Sequence, residues 1–508
     1  MKRPFRGLRD RLPEPRYDAV VIGAGIAGLV CANLLARARL RVLLVEQHYM
    51  VGGYCSTFRR KGYTFDAATH FYPLLGNPAT MTGRLLQDLG VDSTAWVRMD
   101  PVDQFHFPDG SHFAVPADFD RYLDALRREF PAERERLDRF FALVRQAYLG
   151  GLLYHFRGQD SDHFESVRRL TLAATLESSF QDCKLRLLLA ADCGHWGSPP
   201  SRISFVFDAM LRLAYFLGNY YPRGGSQAVA DALAARFETQ GGDVLMQSLA
   251  TRILIDGRRA TGVDLEVGPP HRRAGVRVHA PLVISNADML LTLERLLGHE
   301  PDAAAWRDDL RRLRPTLPCF LVHMGVTGIP TATLAAAHGY HWSSWDAEQV
   351  ATRAFKIFVP TLYEPALAPP GGHIVIVQKL TDIDFTAVAD WTAHKAAVER
   401  EILQRLDDIV PGFSQAIVTK HSASAMTSHR YTLNHHGAML GWEMAPDQLG
   451  AARPATQGLF DGLYFTGHWT QPGGGVTPAI MSAVQVAEAI LGAGQPNRRG
   501  VPPVVLQR

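Results

Sequence analysis

One segment near the N-terminus constrains the fold of this chain more than any other. Residues 18–47 read DAVVIGAGIAGLVCANLLARARLRVLLVEQ. The apolar residues 20–22 predict a buried strand, and Gly23, Gly25 and Gly28 follow it at G-x-G-x-x-G spacing. A strand that turns into a helix over three glycines spaced in this way is typical of an α/β, Rossmann-like fold.

The three glycines have different physical roles in such a turn. The first permits the tight turn, the second lets the backbone approach a pyrophosphate, and the third lets the helix pack closely on the strand. The helix then presents unpaired N–H groups and a partial positive charge to phosphates. A second apolar run, residues 42–45, ends at Glu46, whose carboxylate can accept hydrogen bonds from an adenosine ribose. The segment therefore predicts a dinucleotide-binding site.

A glycine pair, Gly52 and Gly53, narrows the choice of dinucleotide. It follows Glu46 after five residues and opens the stretch GGYCSTFRRKGYTFDAATHF at residues 52–71. This stretch resembles a family of FAD-dependent phytoene desaturases, carotenoid isomerases and retinol saturases. In that family the extra glycines bring the chain around the pyrophosphate and ribityl of FAD. The resemblance implies FAD rather than NAD, bound by a domain of the glutathione-reductase-2-like type.

A second match to the same family lies near the C-terminus. Residues 459–490 read LFDGLYFTGHWTQPGGGVTPAIMSAVQVAEAI, which predicts a strand at 463–466, a glycine loop and a helix from about Pro478. In the family this loop approaches the ribityl chain and the flavin ring. Many members carry an aspartate after the first glycine of the loop, where this chain has His468.

The resemblance, together with the glycine spacing, gives a set of residues expected to bind FAD. Val244 is included because it matches a backbone contact to adenine in the middle of the family's chain. The expected FAD-binding residues are Gly23, Gly25, Ile26, Ala27, Gly28, Glu46, Gln47, Gly52, Gly53, Val244, Gly467, His468, Gly475 and Val476.

The family's domain organisation is interleaved, and we expect the same here. A Rossmann-like FAD-binding domain alternates along the chain with an α+β substrate domain that is expected to face a membrane. In the middle block the turn Asp256-Gly257 between two apolar runs predicts a hairpin. The predicted pieces are a basic tail at 1–15, FAD-binding segments at 16–75, 222–290 and 455–495, substrate-domain segments at 76–221 and 291–454, and a C-terminal tail at 496–508.

The N-terminal tail is the most basic part of the chain. Residues 1–16 hold six Lys and Arg against two Asp and Glu, which is a charge of +4 where the whole chain has +3. Phe5, Leu8 and Leu12 would share one face if the tail were helical, although its three prolines favour a solvated tail. We therefore expect peripheral contact with anionic lipid as one role of this tail.

Composition excludes several other classes of protein. No run of about 18 apolar residues predicts a membrane span. The five cysteines are odd in number and scattered, which argues against a disulfide framework or a zinc site and for a reducing compartment. His435 and His436 are adjacent and so point in different directions. We expect a cytoplasmic protein with no metal and no nucleic-acid partner.

Residues 203–221 are dense in aromatic side chains and predict part of an apolar channel. They read ISFVFDAMLRLAYFLGNYY, and such a stretch can line a channel for a long hydrocarbon or dip into a bilayer surface. At least half of these side chains are expected to serve the protein core instead, because aromatic residues mostly do. The predicted substrate is a hydrophobic, carotenoid-like polyene.

Three residues are candidates for catalysis. His70 follows the second matched segment and titrates near neutral pH in its unperturbed state, so it is our first choice for an acid, a base or an orienting group. Glu443, in the stretch MLGWEMAP, and His468, in the glycine loop, are the other two.

The sequence predicts an FAD-dependent oxidoreductase, with desaturation of a polyene as the first choice of reaction. The wording of the N-terminal match leaves cis–trans isomerisation and saturation by reduced flavin open. An alternative from another class is a non-enzymatic prenyl carrier related to Rab GDP-dissociation inhibitors, which has the same fold. The complete set of glycines argues against that alternative.

Overall fold

The computed structural model describes residues 5–8, 12–91, 95–157, 162–269 and 271–492. Its helices and strands are numbered in chain order. The strands are β1 Ala19–Ile22, β2 Val42–Val45, β3 Thr57–Arg60, β4 Tyr63–Asp66, β5 Tyr72–Pro73, β6 Trp96–Arg98, β7 Asp103–His106, β8 His112–Val115, β9 Asn219–Pro222, β10 Asp243–Leu245, β11 Ser248–Asp256, β12 Arg259–Val267, β13 Ala274–His279, β14 Leu282–Ser285, β15 Cys319–Thr327, β16 Gly339–Trp342, β17 Ala354–Phe358, β18 Gly372–Leu380, β19 Ile417–Ala423 and β20 Leu463–Phe465.

The helices alternate with these strands. They are α1 Ile26–Arg37, α2 Met81–Asp88, α3 Phe119–Glu129, α4 Arg134–Arg157, α5 Asp162–Val167, α6 Leu172–Ser179, α7 Cys183–Ala190, α8 Phe205–Leu217, α9 Ser226–Thr239, α10 Met289–Leu291, α11 Asp302–Leu310, α12 Thr331–Ala337, α13 Val350–Arg353, α14 Trp391–Ile409, α15 Ala425–Thr432 and α16 Val476–Gly492.

A parallel sheet with the order β10-β2-β1-β14-β20 forms the centre of one half of the molecule. All four residues of β1 are buried, as expected for a strand covered on both faces. The sheet takes β1 and β2 from the first predicted FAD-binding segment, β10 and β14 from the second, and β20 from the third. The α/β class predicted from the sequence is therefore confirmed.

Helices α1, α9 and α16 cover one face of this sheet. Leu29 and Leu35 of α1, Leu233 and Phe237 of α9, and Ile480 of α16 are buried in a common core. The other face is covered by an antiparallel meander, β11-β12-β13. Its first turn pairs Asp256 with Arg259, which confirms the predicted hairpin.

A second, seven-stranded sheet with the order β19-β15-β18-β17-β16-β7-β8 forms the centre of the other half. Helices α3 and α4 pack beside it and bury Leu126, Leu137 and Phe141 in the core. Helix α3 ends at Glu129, and a short 3₁₀ turn that begins at Pro131 separates it from α4.

The described part of the N-terminal tail packs against the protein, and lipid contact by this tail stays a prediction. Phe5 is only 2% exposed in the core of the parallel-sheet half, and Leu8 is partly buried. The Leu8 N–H donates to the carbonyl oxygen of Val244 at 2.7 Å. Leu12 alone is exposed, and residues 1–4 and 9–11, which hold four of the tail's basic side chains, lie outside the described residues. Among the helices that the structure describes, none is long and apolar enough to cross a membrane.

The packing of α9 on α1 gives a test of the fold. Replacing Leu233, which is fully buried, with Ala should lower the free energy of unfolding by about 2–5 kcal/mol, because the lost methyl groups leave a cavity. Replacing Arg236, which is exposed on the same helix, with Ala should change it by less than about 0.5 kcal/mol. Chemical denaturation of both variants measures the difference, and equal effects would contradict this packing.

Candidate functional site

A cavity of about 640 Å³ lies between the carboxyl edge of the parallel sheet and the seven-stranded sheet. This is the edge at which open α/β sheets bind ligands, and the volume is within the usual range for ligand sites. One part of its wall is made by glycine turns: Gly23, Gly25, Gly52, Gly53, Gly467 and Gly475. Another part is made by large apolar side chains: Phe58, Phe71, Leu152, Phe207, Met210, Leu211, Leu321, Met439 and Leu440.

The first glycine turn joins β1 to α1. Gly23 has a φ of +95°, and its N–H donates to the carbonyl oxygen of Val45 at 2.7 Å. A Cβ atom at Gly28 would lie 2.1 Å from the carbonyl oxygen of Gly23, so α1 can approach the turn only with glycine at this position. Gly25 precedes α1, and the first turn of α1 holds no acidic residue, which leaves its N–H groups available to an anion.

Glu46 lies at the end of β2, as predicted. One carboxylate oxygen accepts the Ala24 N–H at 2.8 Å and the other accepts the His48 N–H at 2.8 Å. Burial raises the pKa of Glu46, while these backbone bonds oppose the shift. Each carboxylate oxygen can accept a further bond, so a ribose hydroxyl has two acceptors within the site.

The glycine pair forms the second turn. Gly52 and Gly53 have φ angles of +112° and +57°, in the region that favours glycine. The Gly52 N–H donates to the carbonyl oxygen of Ala24 at 2.8 Å, which fastens this turn to the first one. The cavity wall at these two glycine turns is therefore formed mainly by backbone atoms.

The third turn, residues 467–475, is called the flavin loop below. It follows β20 and ends at α16, and Gly467 has a φ of +103°. The Gly467 N–H donates to the hydroxyl of Ser482 at 2.7 Å. Gly467, His468, Gly475 and Val476 line the cavity, as do the other predicted cofactor residues except Gly28 and Val244.

Val244 does not line the cavity, and an adenine contact there stays a prediction. Its carbonyl oxygen is occupied by the Leu8 N–H, and its side chain is buried in the core. Ser248, Leu249 and Ala250 at the start of β11 line the cavity instead.

Sequence reasoning missed Asn286, which joins two of the turns. Its N–H donates to the carbonyl oxygen of Ile22 at 2.8 Å, and its side-chain amide donates to that of Gly23 at 3.1 Å. A Cβ atom at Gly467 would lie 2.8 Å from its side-chain oxygen. The available signal was its position directly after the buried strand β14.

His70 lines the cavity, and its ring is buried. Its Nδ1 lies 3.0 Å from the carbonyl oxygen of Ala68. Because a carbonyl only accepts, Nδ1 carries the proton and Nε2 has a free lone pair, for which the described residues provide no partner. Burial, and then the charge of Lys356, lower the pKa of His70 to about 3, so the ring is neutral near pH 7.

The other two catalytic candidates have different surroundings. Glu443 is 0% exposed, is absent from the cavity wall, and binds Arg314 at 3.1 Å, Arg202 at 3.2 Å and Ser198 at 3.0 Å. This ion-pair cluster fully engages the carboxylate, so the structure corrects its assignment as a catalytic group. His468 does line the cavity, and burial together with Arg453 lowers its pKa to about 3.

The sequence also gave no sign of a buried polar chain beside His70. The Lys356 ammonium donates to Asp103 at 2.5 Å and to Nε2 of His195 at 3.1 Å. Nδ1 of His195 therefore carries the proton, and it contacts the hydroxyl of Tyr215 at 2.7 Å. Of these residues His195 lines the cavity. In the described part of the chain, no group of three or more His, Cys, Asp or Glu side chains could hold a metal.

The three glycine turns and the helix N-terminus fit a dinucleotide, and the same cavity continues along a wall of large apolar side chains. This arrangement defines a flavin-dependent oxidoreductase. Residues 26–491 match the family described as flavin containing amine oxidoreductase, and the chain belongs to that family. FAD is its cofactor, and the prenyl-carrier alternative is set aside.

Individual relatives cover most of the chain. All-trans-retinol 13,14-reductase of Danio rerio is 30% identical, over 91% of this chain and 83% of its own length. Prolycopene isomerase 2, chloroplastic, of an Oncidium hybrid cultivar is 27% identical, over 93% of this chain and 84% of its own length. The neurosporene-forming phytoene desaturase of Rhodobacter capsulatus is 26% identical, over 94% of this chain and 95% of its own length.

Solved structures agree with the fold. A putrescine oxidase mutant has a TM-score of 0.65 at 14% identity and covers 95% of this chain and 100% of its own. An oxidoreductase from Methanosarcina mazei has a TM-score of 0.62 at 20% identity and covers 92% and 99%.

The close approach of α1 to the first turn predicts that a larger residue at Gly28 weakens FAD binding. Replacing Gly28 with Ala should weaken FAD binding by roughly tenfold or more, because the Cβ atom must displace the turn that approaches the pyrophosphate. Replacing Gly275 with Ala is the matched control, since open space surrounds that glycine at an ordinary backbone conformation. Flavin absorbance after gel filtration measures retention, and full retention in the Gly28 variant would refute this placement.

Proposed function

We propose that this enzyme removes two hydrogens from a long, apolar isoprenoid polyene of the carotenoid type. The observation that carries the proposal is the continuity of the apolar wall with the glycine turns in one cavity. A hydrocarbon chain gains free energy by leaving water for such a wall, at about 0.8 kcal/mol for each buried CH₂ group. The names of the relatives, which include a phytoene desaturase and a prolycopene isomerase, support a polyene as the substrate.

The aromatic stretch at residues 203–221 contributes to this wall as predicted, but only in part. Phe207 and Met210 of α8 line the cavity, whereas Phe205 and Tyr221 are fully buried in the core. Helix α8 therefore presents one side to the cavity and packs with the other.

When bound, FAD would supply the acceptor for a hydride, which is a proton with two electrons. Loss of a hydride leaves the substrate short of electrons, and the neighbouring C–H bond then becomes strongly acidic. Its proton passes to Nε2 of His70, the two electrons of that bond form the new double bond, and the charges balance. A neutral imidazole with a free lone pair is suited to accept this proton even though its pKa is low.

We choose His70 rather than His323 as the proton acceptor. His323 is a second cavity histidine, and its Nε2 also has no partner in the described residues. The backbone around His70 is tied to the glycine pair, because the Thr69 N–H donates to the carbonyl oxygen of Tyr54 at 3.1 Å. His323 lies instead on β15 of the seven-stranded sheet.

Saturation or isomerisation of the polyene is the second candidate reaction. The retinol reductase relative and the prolycopene isomerase relatives favour it. Saturation needs a proton donor at the substrate, and a neutral His70 holds no proton on the nitrogen that has the free lone pair. Desaturation therefore fits this side chain better.

An anaerobic single turnover tests the reaction. With oxidised FAD, the product of a saturated or partly unsaturated isoprenoid should be lighter by two hydrogens in mass spectrometry. Replacing His70 with Gln should slow this step by about 10²-fold or more while FAD stays bound, because the proton acceptor is lost. Replacing His323 with Gln is the control and should have a smaller effect. A product of unchanged mass, or equal slowing in both variants, would contradict the proposal.

Peripheral membrane contact is part of the proposed function, since a polyene dissolves in lipid. Leu149 and Leu153 of α4 are 59% and 43% exposed, and their neighbours Tyr148 and Leu152 line the cavity. Helix α4 therefore joins an exposed apolar surface to the cavity wall, which supports it as the face that rests on a membrane.

Substitution of both leucines tests this contact. The double variant Leu149→Ser and Leu153→Ser should bind liposomes roughly a hundredfold more weakly or worse, because two leucines buried in lipid together contribute about 3–6 kcal/mol. Replacing Trp345, another exposed apolar side chain that does not line the cavity, with Ser should leave binding unchanged. Co-sedimentation measures both, and equal binding by the wild type and the double variant would refute the contact.

A further inference from the structure

Arg453 is a buried arginine without an acidic partner. It is 1% exposed, and its guanidinium donates only to backbone carbonyl oxygens. Nε donates to the carbonyl oxygen of Thr470 at 2.9 Å, and Nη2 donates to the carbonyl oxygen of His468 at 2.7 Å. The remaining bonds go to the carbonyl oxygens of Trp442 and Glu443 at 3.3 Å.

No carboxylate of the described residues forms an ion pair with this guanidinium. The nearby carboxylate of Glu443 is directed to Arg202 and Arg314. Burial lowers the pKa of Arg453 to about 9, which still leaves it charged at neutral pH. The titratable groups that face it, His468 and His155, have pKa values of about 3 and 4, so both are neutral and add no charge.

A buried charge without a counter-ion destabilises a protein, and strongly perturbed ionisable groups are concentrated at functional sites. Two of the four carbonyl groups that Arg453 binds belong to the flavin loop. The same loop lines the cavity through Gly467, His468 and Trp469. The guanidinium therefore binds the same loop that lines the cavity.

We propose that Arg453 provides a fixed positive charge behind the flavin loop, which stabilises the negative charge of two-electron-reduced FAD and raises its midpoint potential. Protein charge near the ring nitrogens is a recognised way of tuning a flavin. The low dielectric of a buried position makes the charge more effective than one on the surface. The role concerns FAD alone and holds whichever substrate the enzyme takes.

A structural role of Arg453 is the competing explanation, since the guanidinium also holds the flavin loop in place. The two roles predict different results for two variants. In R453K the charge stays but the planar set of donors is lost, whereas R453Q removes the charge and keeps some hydrogen bonds. A clamp alone would change FAD affinity and leave the potential of bound FAD unaltered.

The experiment is a redox titration of the FAD-loaded enzyme against a reference dye, without substrate. At a fixed dye potential, R453Q should lower the ratio of reduced to oxidised flavin at least tenfold, which is about 30 mV for a two-electron couple. R453K should stay close to the wild type. The control R314Q removes a half-exposed arginine that is paired with two carboxylates, and it should change the ratio far less.

A measurement on the wild type keeps the test valid even if R453Q does not fold. If the protein holds the reduced flavin as an anion, reduction takes up one proton. At a fixed dye potential in mildly acidic buffer, the ratio of reduced to oxidised flavin then falls tenfold for each pH unit. A hundredfold fall in this ratio for each pH unit would mean that reduction takes up two protons, and it would overturn the proposal. An unchanged potential in FAD-loaded R453Q would overturn it as well. Neither result depends on the polyene substrate.

Discussion

The structure depends on the close approach of α1 to the turn that follows β1. A side chain larger than hydrogen at Gly28 would collide with the carbonyl oxygen of Gly23, 2.1 Å from its Cβ atom. Asn286 then fastens the same turn from β14, and the glycine pair fastens it from β2. Three separate segments of the chain thus meet at one edge of one sheet. This meeting point forms the glycine-lined end of the cavity, and the sheet beside it is built from strands that lie far apart in the sequence.

The other end of the cavity follows a different physical rule. Large apolar side chains form much of its wall, and the pKa values of His70, His195 and His323 in this wall are lowered mainly by burial. Lys356, Asp103 and Arg453 lie outside the cavity wall, whereas Glu46, Arg60 and Asp288 line it. The low dielectric of a buried position lets the electric field of Lys356 and Arg453 reach the cavity.

The sequence predicted the parts of the site that are local in the chain. The glycine spacing, the acid at the end of β2 and the glycine loop before α16 each lie within about 30 residues, and each sits in the cavity wall or beside it. Residues whose role depends on distant partners were missed. Asn286, Lys356 and Arg453 have ordinary surroundings in the sequence, and their importance comes from contacts with residues far away in the chain.

Two predictions that the structure does not support have the same origin. Glu443 lies in a stretch close to the C-terminal match, but Arg202 and Arg314 engage its carboxylate from other parts of the chain. Val244 was assigned to adenine because it matches a backbone contact in the family, but here its carbonyl oxygen accepts the Leu8 N–H. Neither partner is visible in the spacing of the residues.

The central claim is that FAD and an isoprenoid chain share one cavity and exchange a hydride. The most direct measurement is flavin absorbance after rapid anaerobic mixing of the FAD-loaded enzyme with an isoprenoid hydrocarbon. The account predicts loss of the oxidised flavin spectrum at a rate that saturates with the hydrocarbon. Oxidised flavin that persists while the hydrocarbon is demonstrably bound would contradict it.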